Sequence, residues 1–170
     1  SLEGFNACLI CYGESGSGKS HTMIGHMEVS QGDGFGDDSV PLVKFQDHGI
    51  HFRALNQLFQ VSNRRRNIFE DSFTLSILEI YDEKLVDLVE GTSFAERVGI
   101  IRGGDTRKAS SRNESNNSES SRKLEIKTNH EGDTVVDGQI LVPIHSMEEA
   151  IRLWEQCMSL RHKRLVDSGS

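Results

Sequence analysis

The sequence predicts an α/β fold, and three observations carry that expectation. A short apolar run, Ala7-Cys8-Leu9-Ile10-Cys11-Tyr12, ends in a glycine-rich stretch, as does a strand buried on both faces in a parallel sheet. Apolar residues recur at helical spacing after Gly49 and again after Ser146. Between them, residues 73–81 alternate as a strand does. The order strand, helix, strand, strands, helix is that of an α/β domain.

Composition bounds the function. The chain has 170 residues, the size of one ordinary domain. Leu, Ile, Val and Phe supply 45 of them, enough to build a core. Acidic residues outnumber basic ones 26 to 19, a net charge of −7 that argues against nucleic acid as a partner. No run of about 18 apolar residues occurs, so no membrane-inserted helix is expected. Ser1-Leu2-Glu3-Gly4 lacks the basic, apolar start of a signal peptide, and three cysteines suit reduced thiols. These features point to a soluble, cytoplasmic protein.

The elements follow in order. Residues 26–48, where Gly32, Gly34 and Gly36 alternate with Asp33, Asp37 and Asp38, read as an exposed, flexible acidic loop. A helix follows Gly49, with Ile50, Ala54, Leu55, Leu58 and Phe59 on one stripe and Arg64-Arg65-Arg66 in the solvated turn after it. In the strand at 73–81, Phe73, Leu75, Ile77 and Tyr81 share one face and Leu78 and Ile80 the other. Leu85, Val86, Leu88 and Val89 read as a short helical turn. Residues 102–123 hold six serines, three asparagines and nine charged residues, a composition expected of a disordered insertion.

Beyond it, Leu124-Glu125-Ile126 and residues 135–144 read as strands, paired around Glu131-Gly132-Asp133, with Pro143 ending the second or placing it at an edge. Ser146-Met147-Glu148-Glu149 is a capping box, in which Ser146 and Glu149 satisfy orphan amides. Met147, Ile151, Trp154 and Met158 then form a core stripe.

One motif carries chemistry. Gly13-Glu14-Ser15-Gly16-Ser17-Gly18-Lys19-Ser20 matches G-x-x-x-x-G-K-[ST], the phosphate-binding P-loop. Its glycines let successive amides turn inward as a nest for phosphate oxygens. A helix beginning near Lys19 adds further amides and its positive dipole end. Lys19 suits the β- and γ-phosphates, and the Ser20 hydroxyl suits Mg²⁺. No residue of the chain is assigned a catalytic role.

The surrounding blocks resemble the kinesin motor domain. Gly4-Phe5-Asn6-Ala7 corresponds to that family's G-Y-N-A lead, and the loop runs on as His21-Thr22-Met23-Ile24-Gly25, near T-x-T-M-x-G. Gly49-Ile50-His51-Phe52-Arg53-Ala54 stands where the family has G-I-I-P-R-A, and Ile80-Tyr81-Asp82-Glu83-Lys84-Leu85-Val86-Asp87-Leu88 resembles I-Y-N-E-x-x-x-D-L-L. The resemblance implies a P-loop NTPase fold of kinesin type, a central, mainly β sheet flanked by helices, with ATP and Mg²⁺ held by Gly13, Glu14, Ser15, Gly16, Ser17, Gly18, Lys19 and Ser20, and His21 against the adenine. It further implies a microtubule-stimulated ATPase working in the cytoplasm on the cytoskeleton, with tubulin as partner of the parent motor.

Departures qualify this expectation. Glu14-Ser15 replaces the usual Gln-Thr and resembles the myosin loop, and Phe52 replaces a proline. The hairpin at 124–144, whose counterpart touches tubulin in the family, carries Glu131, Asp133 and Asp137 beside Lys127 and His130, a poor match to an acidic surface. The family's switch I motif, N-x-x-S-S-R, is expected after the closing helix, beyond residue 170, and its switch II motif, D-x-A-G-x-E, does not occur within residues 1–170. The chain is therefore expected to be part of a motor domain, inactive by itself. The alternative is a truncated, non-motile nucleotide-binding or interaction protein.

Other signals read as structure. In Cys8-Leu9-Ile10-Cys11 a strand would point the two sulfurs to opposite faces, so buried structural thiols are expected rather than a metal site. Seven histidines lack zinc-site spacing. Asp82, Glu83 and Asp87 read as a turn and a helix cap.

Overall fold

The computed structural model describes residues 5–30, 42–102 and 124–167. In chain order its elements are α1 (Lys19–Met23), β1 (Gly25–Ser30), β2 (Leu42–His48), α2 (Ile50–Arg65), β3 (Phe73–Leu75), β4 (Leu78–Tyr81), β5 (Lys84–Asp87), α3 (Ser93–Val98), β6 (Ile101–Arg102), β7 (Glu125–Thr128), β8 (Thr134–Asp137), β9 (Ile140–Ile144) and α4 (Met147–Asp167). Helices and strands are mixed as expected. A single central sheet is not found among the described residues: β1–β2, β4–β5 and β7–β8 form separate two-stranded pairs, and β3–β9–β6 a three-stranded sheet. The chain divides into two compact units, residues 1–73 with 144–170, and residues 74–143.

In the first unit, the apolar run at 7–12 takes no regular secondary structure, and Ile10 and Tyr12 are 78% and 98% exposed. This corrects the expectation of a strand buried on both faces. Apolarity favours burial, but a strand also needs neighbours for its backbone groups, and no described strand pairs with it. The expected loop at 26–48 is corrected at its flanks, where β1 and β2 pair antiparallel with a bulge between His26 and Met27. Its central part, residues 31–41, lies outside the described residues.

The helix α2 begins one residue after Gly49 and runs on through Arg64 and Arg65, which close it rather than follow it. Its buried residue is Phe52, while Ile50 and Ala54 of the expected stripe are exposed. Arg65 grips Asp71 with two donors, Nε at 2.9 Å from Oδ2 and the terminal nitrogen on Oδ1, and stacks over Phe69. The ion pair thus folds the chain back after the helix.

The capping box of α4 forms in its Ser146 half, while its Glu149 half is displaced by one residue. The Glu149 amide donates to Ser146 Oγ at 3.2 Å, while the Glu149 carboxylate reaches back to the His145 amide at 2.7 Å. The most buried stripe of α4 is Ala150, Leu153 and Cys157, displaced from the expected Met147, Ile151, Trp154 and Met158, which are half-buried. Phe59 meets Phe73 at 4.8 Å, and Phe52 meets Trp154 edge-on at 5.8 Å, tying α2 to α4.

In the second unit the expected single strand at 73–81 is broken into β3 and β4 by Ser76 and buried Ile77. The expected helical turn at Leu85 and Val86 is instead β5, in register with β4 from Leu78↔Asp87 to Tyr81↔Lys84. Asp82 and Glu83 both take positive φ, 49° and 59°, the twist that a two-residue hairpin turn requires. This tight turn returns the chain as a strand, so apolar spacing there is that of a ladder.

Asp87 caps no helix: its carboxylate is buried and accepts from the Val89 amide at 2.9 Å and the Ile140 amide at 2.7 Å. The α3 cap is Thr92, whose hydroxyl accepts from the Ala95 amide.

β7 and β8 form the expected hairpin, closed by Asn129, whose side-chain oxygen accepts from the amides of Glu131 and Asp133. β9 is a separate strand. It lies in the middle of its sheet and passes through Pro143 to Ile144, which corrects the edge expectation. Its β6 rungs are at Ile140 and Leu141, so the missing amide of Pro143 falls beyond that ladder. The serine-rich segment from 103 to 123 lies outside the described residues.

Candidate functional site

The phosphate-loop motif lies in the first unit, in the turn between the irregular segment at 5–13 and α1. Gly13, Gly16 and Gly18 have φ of 149°, 82° and 85°, conformations that L side chains rarely adopt. At Gly16 and Gly18 an added Cβ would meet nothing within 4 Å. Glycine is needed there for backbone conformation, and the space beside it stays open. One turn bond closes the loop, from the Ser17 amide to the Glu14 carbonyl at 3.3 Å.

Lys19 is half-buried and curls over its own loop. Its ammonium donates to the Gly13 carbonyl at 2.8 Å and to the Glu14 carbonyl. An ammonium has three N–H donors, so one remains for a further oxygen. Gly13, Glu14, Ser15, Gly16, Ser17, Gly18, Ser20 and His21 are all exposed. The structure thus brings every motif residue into one accessible turn. With glycines of positive φ, exposed loop residues, a lysine ammonium and an adjacent hydroxyl, the residues present fit a polyphosphate and its cation. The helix α1 has only five residues, so loop amides rather than an extended dipole supply most of this character.

Sequence reasoning missed how the loop is braced. The far end of α1 meets the start of α2: the Gly49 amide donates to the Ile24 carbonyl at 2.8 Å, and His51 Nδ1 faces the Met23 carbonyl. An added Cβ on Gly49 would stand 2.3 Å from Met23 O, so only glycine allows this approach. The His51 ring packs 4.2 Å from Phe52 and 4.4 Å from Trp154 by centroids. Burial holds the His51 pKa below the usual histidine value, with the neighbouring His48 acting in the same direction and the Met23 carbonyl opposing. The available signal was the departure at 51–52, where His-Phe replaces Ile-Pro.

The remaining candidates divide differently. Cys8 is exposed and Cys11 half-buried, which corrects the expected burial of both, whereas Cys157 is buried. No cluster of three metal-ligating side chains occurs among the described residues. On the β7–β8 hairpin, Lys127 is engaged by Asp137 at 2.6 Å and Glu125 at 3.2 Å, leaving Glu131 and Asp133 exposed. No helix among the described residues is long and apolar enough to cross a membrane.

The family model of the kinesin motor domain matches residues 1–167. Kinesin-like protein KIN-14J of Oryza sativa subsp. japonica is 30% identical over 169 residues, 99% of this chain and 15% of its own length. Kinesin-like protein KIN-14K of the same species is 38% identical over 99 residues, 58% of this chain and 8% of its own length. KIN-14G of Arabidopsis thaliana is 29% identical over 154 residues, 91% of this chain and 12% of its own length. The chain therefore spans a small part of the curated relatives that it matches. With the match running from residue 1 to 167, the chain belongs to the kinesin motor-domain family.

Proposed function

We propose that this chain is the nucleotide-binding part of an ATP-dependent microtubule motor. The observation that carries the reading is the Lys19 ammonium held over a loop of left-handed glycines. In this reading the amides of residues 13–18 hold phosphate oxygens, Lys19 neutralises β- and γ-phosphate charge, and the Ser20 hydroxyl is a ligand of Mg²⁺. Exposed His21 lies against the adenine. The bound metal would offset charge developing on the transferred phosphoryl group. Orientation of the attacking water is assigned to no residue within 1–170, so the chain alone is a poor ATPase.

The natural protein, in the same reading, acts on the microtubule cytoskeleton of the cytoplasm. The deciding experiment is ATP turnover by the full-length protein with and without microtubules. Turnover that rises on microtubules and disappears in Lys19→Ala supports the motor. Tight Mg-nucleotide binding without stimulated turnover supports the alternative, a non-motile nucleotide-binding or interaction protein. One observation favours that second reading: the hairpin's Lys127 is already committed to two carboxylates, which leaves an acidic tip for an acidic partner.

A further inference from the structure

We infer that His51 is a positioning residue for the phosphate loop, holding the far end of α1 against α2 so that Lys19 and Ser20 meet a nucleotide in register. The inference rests on the reading of residues 13–20 as a phosphate loop. A carbonyl can only accept, so the contact with Met23 places the proton on Nδ1 and leaves a lone pair on Nε2. Nε2 and the Trp154 Nε1 are buried without a hydrogen-bond partner among the described residues. The ring is thus held by one hydrogen bond and by Phe52 and Trp154 on its flanks.

Because α1 spans five residues, Met23 lies about 6 Å along the helix axis from Lys19. A shift at Met23 is therefore felt at the ammonium. An aliphatic residue at 51 would fill the space without holding the carbonyl.

Protonation opposes the arrangement. A second N–H would then carry charge into the aromatic cluster at the first turn of α2, where the helix dipole already disfavours a cation. His48, at the end of β2, is the titratable neighbour that acts on it, while Met23 of α1 and Trp154 of α4 carry no charge. Burial outweighs the Met23 carbonyl, which favours the charged ring, so acidification draws the ring toward water and loosens the end of α1.

The test is Mg-ADP affinity of the full-length protein, read with a fluorescent nucleotide from pH 8 to pH 5.5. His51→Ile is expected to weaken binding about three- to tenfold at the alkaline end, the loss of one hydrogen bond. His51→Asn, whose amide reproduces the Nδ1 donor, should bind like wild type there. It should also lack the part of the acid-induced loss that belongs to His51. Equal affinity of His51→Ile and wild type, or an unchanged pH profile in His51→Asn, overturns the inference.

If wild type binds no nucleotide, or Lys19→Ala binds as well as wild type, the phosphate-loop reading fails instead. The brace is then judged without nucleotide. Nitrogen NMR should find the Nδ1–H tautomer of His51, and the Thr22 and Ile24 amides should exchange faster in His51→Ile. The opposite tautomer or unchanged exchange contradicts it.

Discussion

The Lys19 ammonium donates to the carbonyl of Gly13 at 2.8 Å, closing the phosphate loop with the loop's own lysine. The cation is thereby kept at the mouth instead of sampling solvent, which lowers the entropy lost when it engages an anion. The same geometry demands an unusual backbone at Gly18, with φ of 85°. Gly18→Val is expected to cost about 1–2 kcal/mol in backbone strain, although no neighbour is crowded. Chemical denaturation measures that cost, and nucleotide titration should show a parallel loss.

Gly49 is constrained by contact alone. Its φ of −71° suits any residue, yet an added Cβ would stand 2.3 Å from Met23 O and 2.5 Å from the Ile24 carbonyl carbon. Gly49→Ala should therefore destabilise the fold by about 1–3 kcal/mol, as overpacking does. A melting curve matching wild type would refute the close approach.

Arg65 and Asp71 predict an acid response. The hydrogen bond from Arg65 is the main cause that holds the Asp71 pKa below its ordinary value. A depressed folded pKa means stability that is present above the unfolded value and lost as pH falls through the folded one. Asp71→Asn should thus melt below wild type at neutral pH, and the gap should close in acid. A gap independent of pH would contradict the pairing.

Asp87 behaves oppositely. Burial, the largest cause, raises its pKa against the lowering effect of the Ile140 and Val89 amides. With the folded value above the unfolded one, its contribution is complete below the unfolded value and declines as pH rises through the folded one. The stability gap between wild type and Asp87→Asn should therefore be wider in acid than at neutral pH. Asp87→Ala, which leaves two amides without their acceptor, should cost about 2–4 kcal/mol. Urea denaturation of the three proteins at both ends of the range checks both statements.

What could be read in the sequence depended on how local its physics is. The glycine-rich turn before α1 and the α4 start were legible because spacing alone defines them: a glycine pattern ending in Lys19-Ser20, and Ser146 three residues before Glu149. The helix after Gly49 was legible from its period. The turn at Asp82 and Glu83 was legible too, but the strand after it was not, because the apolar spacing of Leu85, Val86, Leu88 and Val89 suits a helical turn as well as a ladder. The run at 7–12 misled, since apolar composition indicates what prefers burial and not whether a pairing strand lies beside it. The bracing by His51 was hidden because its partners, Met23 and Trp154, are 28 residues before it and far beyond it in the chain.

Equilibrium binding of Mg-ATP to the full-length protein tests most directly whether residues 13–20 hold the phosphates of a nucleotide. Binding should be saturable and weakened roughly 10- to 100-fold by Lys19→Ala, the worth of one charge-assisted contact, with the helical content unchanged. Equal binding by wild type and Lys19→Ala, or none by wild type, would contradict it.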